Sequence, residues 1–230
     1  MTELEAWATA RPLAWSDSSR AVLHDALARA TPQPWPVDLG DQEVVFREPS
    51  GGQALDSAAL YRCGAALAAA WTVLRVLGHD LVAEFPQEPG QLAVLRVIGR
   101  SSPAAQDWRR YAAIRDLTTP DAVLTPAPPA AVQAIIDDGA WPETALEIVD
   151  DSAWPDPDRP QWPFTPGSAI LVLTNGNARC HHVLAGAAVH RARLSAAASG
   201  FRAEVITGPR PRAVALPGFP HALLRFGAPG

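Results

Sequence analysis

The string whose residue types best suit a binding site is Thr31-Pro32-Gln33-Pro34-Trp35. Its prolines stiffen a loop, the glutamine amide offers a donor and an acceptor, and the indole offers a flat apolar surface, a combination suited to a planar heterocycle. The same residues also make a rigid turn whose tryptophan plugs the core. On composition alone that second role is the commoner one, because ligand sites are few per protein. His181, His182 and His190 form a second group, with Cys180 beside them. Residues 182 and 190 share a helical face, but spacing places no third ligand and no HExxH pair is present, so histidines at a polar helix start outweigh a metal centre. Cys180 near a helix N-terminus has the setting of an activated thiol, although an inert thiol is the commoner outcome. Arg96 and Arg225 alternate with apolar neighbours, which predicts side chains on the solvent face of a strand. A phosphate role would need both to converge on one cleft.

Composition removes several chemistries. The 230 residues carry a net charge of −5, and Pro209-Arg210-Pro211-Arg212 is the nearest thing to a basic block, so no nucleic-acid footprint is expected. The sequence has no lysine, which excludes a Schiff-base lysine and a Walker lysine. GxGxxG, GxSxG and P-loop strings are absent as well. The densest apolar run, Cys63 to Leu74, falls short of the roughly 20 residues that span a bilayer. Glu3 and Glu5 stand where a signal peptide would be basic. These features predict a cytoplasmic protein without a membrane partner, and its two cysteines read as reduced thiols.

The elements that must position these groups repeat. Gly64-Ala65-Ala66-Leu67 opens an apolar run that stops at Gly78, and Gly186-Ala187-Ala188-Val189, 122 positions later, opens one that stops at Gly200. An acid-containing strand segment follows each run, and then a second pentapeptide: Ala93-Val94-Leu95-Arg96-Val97 in one case, Ala222-Leu223-Leu224-Arg225-Phe226 in the other. A period this long predicts two copies of one unit of helix and strand fused in a single chain. Their expected extents are 1–114 and 115–230, with a Pro-rich connection over 150–167. A helix N-capped at Ser18-Ser19, a strand at Glu43 to Phe46 and a helix capped by Asp56 or Ser57 come before the first repeat. A helix over 101–114, a proline-rich connection over 118–129, a short helix over 130–138 and strands at Leu146 to Val149 and Ala169 to Thr174 separate it from the second.

Taken in order, the QPW string, Cys63-Gly64-Ala65-Ala66-Leu67, the Gly78 stop, the Ala169 to Thr174 strand and the closing Pro220-His221-Ala222-Leu223-Leu224-Arg225-Phe226-Gly227 resemble the nitroreductase superfamily. The closest likeness is to its Acg-like branch in actinobacteria, in which two nitroreductase halves are fused. The resemblance covers most of residues 20 to 227. It implies an α+β fold forming an intramolecular pseudo-dimer, monomeric or further paired as a homodimer. It also implies an FMN cleft between the halves and hydride supply from NAD(P)H, the flavin carrying the chemistry. On this resemblance Thr31, Gln33 and Trp35 would lie against the flavin ring, and Arg115 with Arg210 or Arg212 near the phosphate. The family's serine and asparagine before QPW are replaced by Ala28 and Thr31, and its arginine-rich string by Asp116-Leu117-Thr118-Thr119-Pro120-Asp121. Two functions are therefore expected as alternatives: an FMN-dependent NAD(P)H oxidoreductase, or a non-catalytic flavin-sequestering protein or pseudoenzyme acting as a binding partner.

Overall fold

The computed structural model describes residues 15–31, 33–49, 55–117, 124–149, 167–207 and 217–229. In chain order the elements are α1 (Asp17–Ala30), β1 (Val37–Leu39), β2 (Glu43–Arg47), α2 (Ser57–Val76), β3 (His79–Glu84), β4 (Gln91–Arg100) and α3 (Ala105–Ala113). A 3-10 turn (Ile114–Asp116) leads to β5 (Leu124–Pro126), α4 (Pro129–Gly139), β6 (Thr144–Val149), β7 (Ala169–Thr174), α5 (Arg179–Ala198), β8 (Arg202–Thr207) and β9 (Phe219–Pro229). The fold is α+β.

Both sheets are antiparallel throughout and follow one plan. The first has the order β1-β2-β4-β3, and the second has β6-β7-β9 with β8 on the outer side of β9 and β5 extending its far end. In each, a 20-residue helix leaves the second strand and returns to an outer one: α2 between β2 and β3, α5 between β7 and β8. The expected strands all form. β1 was not anticipated, because three residues give no readable period, and β5 lies inside the stretch read as a connection.

Local chemistry explains the helix ends. Asp56 caps α2, its carboxylate accepting the Ala59 N–H at 2.7 Å. The cap of α1 is Ser16, whose hydroxyl accepts from the Ser19 N–H, so this helix starts earlier than Ser18-Ser19 suggested. Gly78 and Gly200 end the two long helices at φ +83° and +82°. That left-handed conformation costs an L-residue about 1–2 kcal/mol and costs glycine little.

The core is continuous across the two sheets. Phe46 and Leu95 of the first and Ile170 and Leu224 of the second are all buried in one apolar cluster with Leu67 of α2 and Leu184 of α5. At its centre α2 crosses α5 at their glycines. A Cβ on Gly64 would stand 2.1 Å from the Val183 carbonyl oxygen, and one on Gly186 would stand 2.3 Å from that of Tyr61. α2 is the one helix among the described residues long and apolar enough to cross a membrane; about two thirds of it is buried inside the fold.

A buried charge network ties α3 to α4 and α5. Arg110, almost wholly enclosed, donates to Asp138 from Nε (3.2 Å) and to the Ser195 hydroxyl (3.3 Å), and Asp107 lies 3.5 Å away. Asp107 also faces Arg75 of α2 at 3.6 Å. The arginines expected on solvent faces behave differently. Arg96 is partly exposed and pairs with Glu43 (3.0 Å) and Glu84 (3.1 Å), whereas Arg225 is buried against Glu204 at 3.7 Å. Both arginines stand on inner strands, β4 between β2 and β3 and β9 between β7 and β8, so strand position alone does not set their burial.

Candidate functional site

Two clefts open where each long helix begins, and each joins residues from both sheets' chain segments. The larger, about 580 Å³, lies between the start of α5 (Ala178, Arg179, Cys180, Val183) and the β3–β4 turn with Phe85, Gln91 and Leu92. The smaller, about 470 Å³, lies between the start of α2 (Asp56, Ser57, Ala58, Tyr61) and the ends of β8 and β9 at Thr207, Pro220 and His221. The helix positions of the second cleft, moved by 122, are those of the first, and Thr207 maps onto Phe85 by the same step. Pro220 and His221 stand 129 residues after Gln91 and Leu92, the spacing of the repeated pentapeptides. The clefts therefore correspond at these helix and strand positions, while His182 of the α2 cleft has no counterpart in the α5 cleft's lining.

Their chemistry does not correspond. Where the α5 cleft has Val183 and Leu92, the α2 cleft has Tyr61 and His221. With His182 these form a cage of three rings: His182 and His221 are T-shaped at 4.9 Å, and Tyr61 lies 6.1 Å from one and 6.2 Å from the other. The Tyr61 hydroxyl and His182 Nδ1 are both buried with no hydrogen-bond partner. Such orphaned groups cost about 1–3 kcal/mol each, and a bound ligand would satisfy them. His221 Nε2 lies 2.8 Å from the Thr174 hydroxyl and 3.3 Å from the Gly176 carbonyl oxygen.

Burial sets the charge states in this cage. It lowers the pKa of His182, with help from neighbouring His181, and lowers that of His221, only partly offset by the hydrogen bond to Gly176. Both imidazoles are held neutral near pH 7. Desolvation raises the Tyr61 phenol, which stays protonated and able to donate.

In the α5 cleft the helix N-terminus favours an anion, and that place is already taken. Arg179 pairs with Glu48 across the cleft, and the Ala178 N–H donates to His181 Nδ1 at 2.9 Å. Cys180 is partly exposed here, while Cys63 is fully buried in α2, where desolvation raises its thiol pKa. No group of three or more His, Cys, Asp or Glu suited to a metal ion occurs among the described residues. His190 is enclosed within α5.

The residues that the resemblance assigns to the flavin sit elsewhere. Thr31 is buried, its hydroxyl 2.6 Å from the Gln33 carbonyl oxygen. Gln33 is exposed, and Trp35 is packed into the core with Leu23, Leu27 and Phe46 in the same cluster. Arg115 is exposed on the 3-10 turn, near Asp25. None of these four lines either cleft. Arg210 and Arg212 lie outside the described residues, as do Trp154 and Trp162 of the Pro-rich connection.

Tyr61, Thr174 and His221 were given no binding role by the sequence, although Thr174 and His221 lie in the strings that carry the resemblance. The signal that could have found two of them is polar chemistry at matching positions: Tyr61 stands three residues before Gly64 as Val183 stands before Gly186, and His221 stands where the first pentapeptide's strand has Leu92.

No protein-family model matches this chain, and no curated protein matches its sequence.

Proposed function

We propose that this chain is a nitroreductase-like protein of two fused halves that holds a flavin in the α2 cleft. The observation that carries the reading is the pair of corresponding clefts, each combining the start of one half's long helix with the strand ends of the other half. That arrangement is what a symmetric dimer with two interfacial cofactor sites would leave after fusion. The reciprocal contact of Gly64 and Gly186 supports it independently. Duplication also accounts for the shared strand order of the two sheets.

The lining of the α2 cleft fits the ring of a flavin. Its volume lies in the usual range for small-ligand sites, about 300–1,000 Å³. The three rings offer apolar faces, and Tyr61 and His182 each have an unspent polar atom for the ring's heteroatoms. The phosphate of FMN is less well served: the cleft's described lining contains no arginine, and Asp56 already caps the helix whose N-terminus would attract it. When bound, FMN would supply hydride and electron transfer from NAD(P)H to an acceptor. The chain's own residues would flank the ring with the His182 and His221 imidazoles and offer it the Tyr61 hydroxyl.

This lining favours a flavin-holding role over catalysis. The cage has no exposed charged residue poised against the ring other than Asp56 at the helix cap. We therefore read the protein as flavin-sequestering, with NAD(P)H oxidoreductase activity as the second reading, carried by the exposure of Ser57 and Asn177 in the cleft's lining. Purification followed by a visible spectrum and FMN titration tests the first claim. Binding with yellow colour and quenched flavin fluorescence is expected, and a colourless protein that ignores both FMN and riboflavin overturns it. NAD(P)H consumption in the presence of a quinone separates the two readings.

A further inference from the structure

His221 is held in a single tautomer by its surroundings. The Thr174 hydroxyl has one hydrogen, which it donates to the Gly176 carbonyl oxygen at 2.7 Å. Its oxygen can then only accept from His221 Nε2, 2.8 Å away. The Gly176 carbonyl oxygen, 3.3 Å from the same nitrogen, is also an acceptor, so a lone pair on Nε2 would be repelled from both sides. Nε2 therefore carries the hydrogen. With the imidazole neutral, as its burial requires, Nδ1 presents a lone pair and makes no hydrogen bond among the described residues.

The α2 cleft thus combines one fixed acceptor, His221 Nδ1, with groups that adapt to the ligand: the Tyr61 hydroxyl, which can donate or accept, His182 Nδ1 and the Asn177 amide. The oxidised flavin ring has a single N–H, at N3 between two carbonyls, so on the flavin reading it is the imide hydrogen that this acceptor takes. The corresponding positions of the α5 cleft, Leu92 and Val183, have no polar side chain, so the recognition belongs to one cleft only.

We propose that the α2 cleft reads the imide edge of its ligand, with His221 Nδ1 accepting the imide N–H and Tyr61 donating to a flanking carbonyl. The inference rests on the flavin reading and specifies how the ring is gripped: by its pyrimidine edge and not by its phosphate. One imide heterocycle binds per chain. The side-chain hydroxyl of Thr174 is a positioning group, because it fixes which nitrogen of His221 faces the ligand.

The test uses the intact protein and two ring-only probes, lumiflavin and N3-methyl-lumiflavin, followed by fluorescence quenching. Methylation removes the hydrogen that His221 accepts and adds bulk there. Lumiflavin should bind with a stoichiometry of one, and the methylated ring should bind about tenfold or more weakly. Nitrogen-15 NMR of the histidine rings should show the Nε2–H tautomer of His221 in the free protein and a shift of Nδ1 on adding lumiflavin. Thr174→Val should weaken lumiflavin and leave the methylated ring unaffected, with Thr174→Ser restoring the difference. Equal binding of the two probes, or FMN binding with no lumiflavin binding, overturns the imide inference while the flavin reading stands. Failure of FMN, riboflavin and lumiflavin alike overturns both.

Discussion

Gly64 and Gly186 contact each other's helices reciprocally: the missing Cβ of Gly64 makes room for the Val183 carbonyl, and that of Gly186 for the Tyr61 carbonyl, 183 and 61 being themselves 122 apart. Both neighbours are backbone atoms, so neither can step aside as a side-chain tip would. Gly64→Ala and Gly186→Ala should each destabilise the fold by about 3 kcal/mol or more, read as a lower urea midpoint at unchanged slope. Gly200→Ala tests the contrast, since nothing lies within 4 Å of its Cβ position and only the positive φ opposes it. Its cost should be about 1–2 kcal/mol. Equal losses at all three positions would contradict the close-packing account.

Arg110 depends on Asp138 more than on any other group. Removing the carboxylate with Asp138→Ala leaves a guanidinium buried between α3, α4 and α5 with Asp107 alone for charge compensation. A loss of about 3 kcal/mol is expected in chemical denaturation. Arg110→Met with Asp138→Leu should recover most of it, because both charges then leave the interior together. A double variant no more stable than the single one would show that the network does more than neutralise itself.

His190 sets a pH dependence. It is fully buried on α5 with neither ring nitrogen hydrogen-bonded, and desolvation with nearby Arg193 pushes its pKa down to about 3. In the unfolded chain the value returns to about 6.5. Between the two the unfolded state binds the extra proton, so stability falls as pH drops through that window. Lowering the pH from 7.5 to 5.5 should remove about 1.4 kcal/mol through this residue, and His79, His182 and His221, also lowered by burial, act in the same direction. His190→Leu should be more stable at neutral pH by about 1–3 kcal/mol and less sensitive to acid. Denaturant titrations at the two pH values would check both; an unchanged pH slope in the variant would refute the assignment.

Tyr61→Phe should weaken flavin binding by about 2- to 10-fold, the range for one neutral hydrogen bond, without a matching loss of stability. Its hydroxyl has no protein partner to lose. Arg179→Ala, in the corresponding α5 cleft, should leave the affinity unchanged, which a parallel fluorescence titration would establish. A larger effect from Arg179 would move the site to the other cleft.

Much of the framework was legible from local rules. Helix stops at Gly78 and Gly200, the cap at Asp56 and the apolar strand Ala169–Thr174 follow from backbone conformation, capping chemistry and a continuous apolar run, none of which needs distant partners. The site was legible only in part. His182 reads only as one of the histidines at a polar helix start, and of the two roles open to the QPW string Trp35 takes the commoner one, packed in the core. Arg225 read as a surface residue because alternation along one strand does not tell how far the rest of the fold will enclose a side chain.

By itself the sequence determined where the two long helices stop and that no lysine chemistry is available to the protein. Only the tertiary structure decided that Tyr61, His182 and His221 meet, since they come from the start of α2, the start of α5 and the start of β9. Side chains more than a hundred residues apart are brought together by the α2–α5 crossing, and that crossing is set by close packing at two glycines. Tertiary structure likewise decided that the corresponding clefts differ, because a single substitution of aliphatic for polar at each matching position becomes a difference in hydrogen bonding only once a buried space surrounds it.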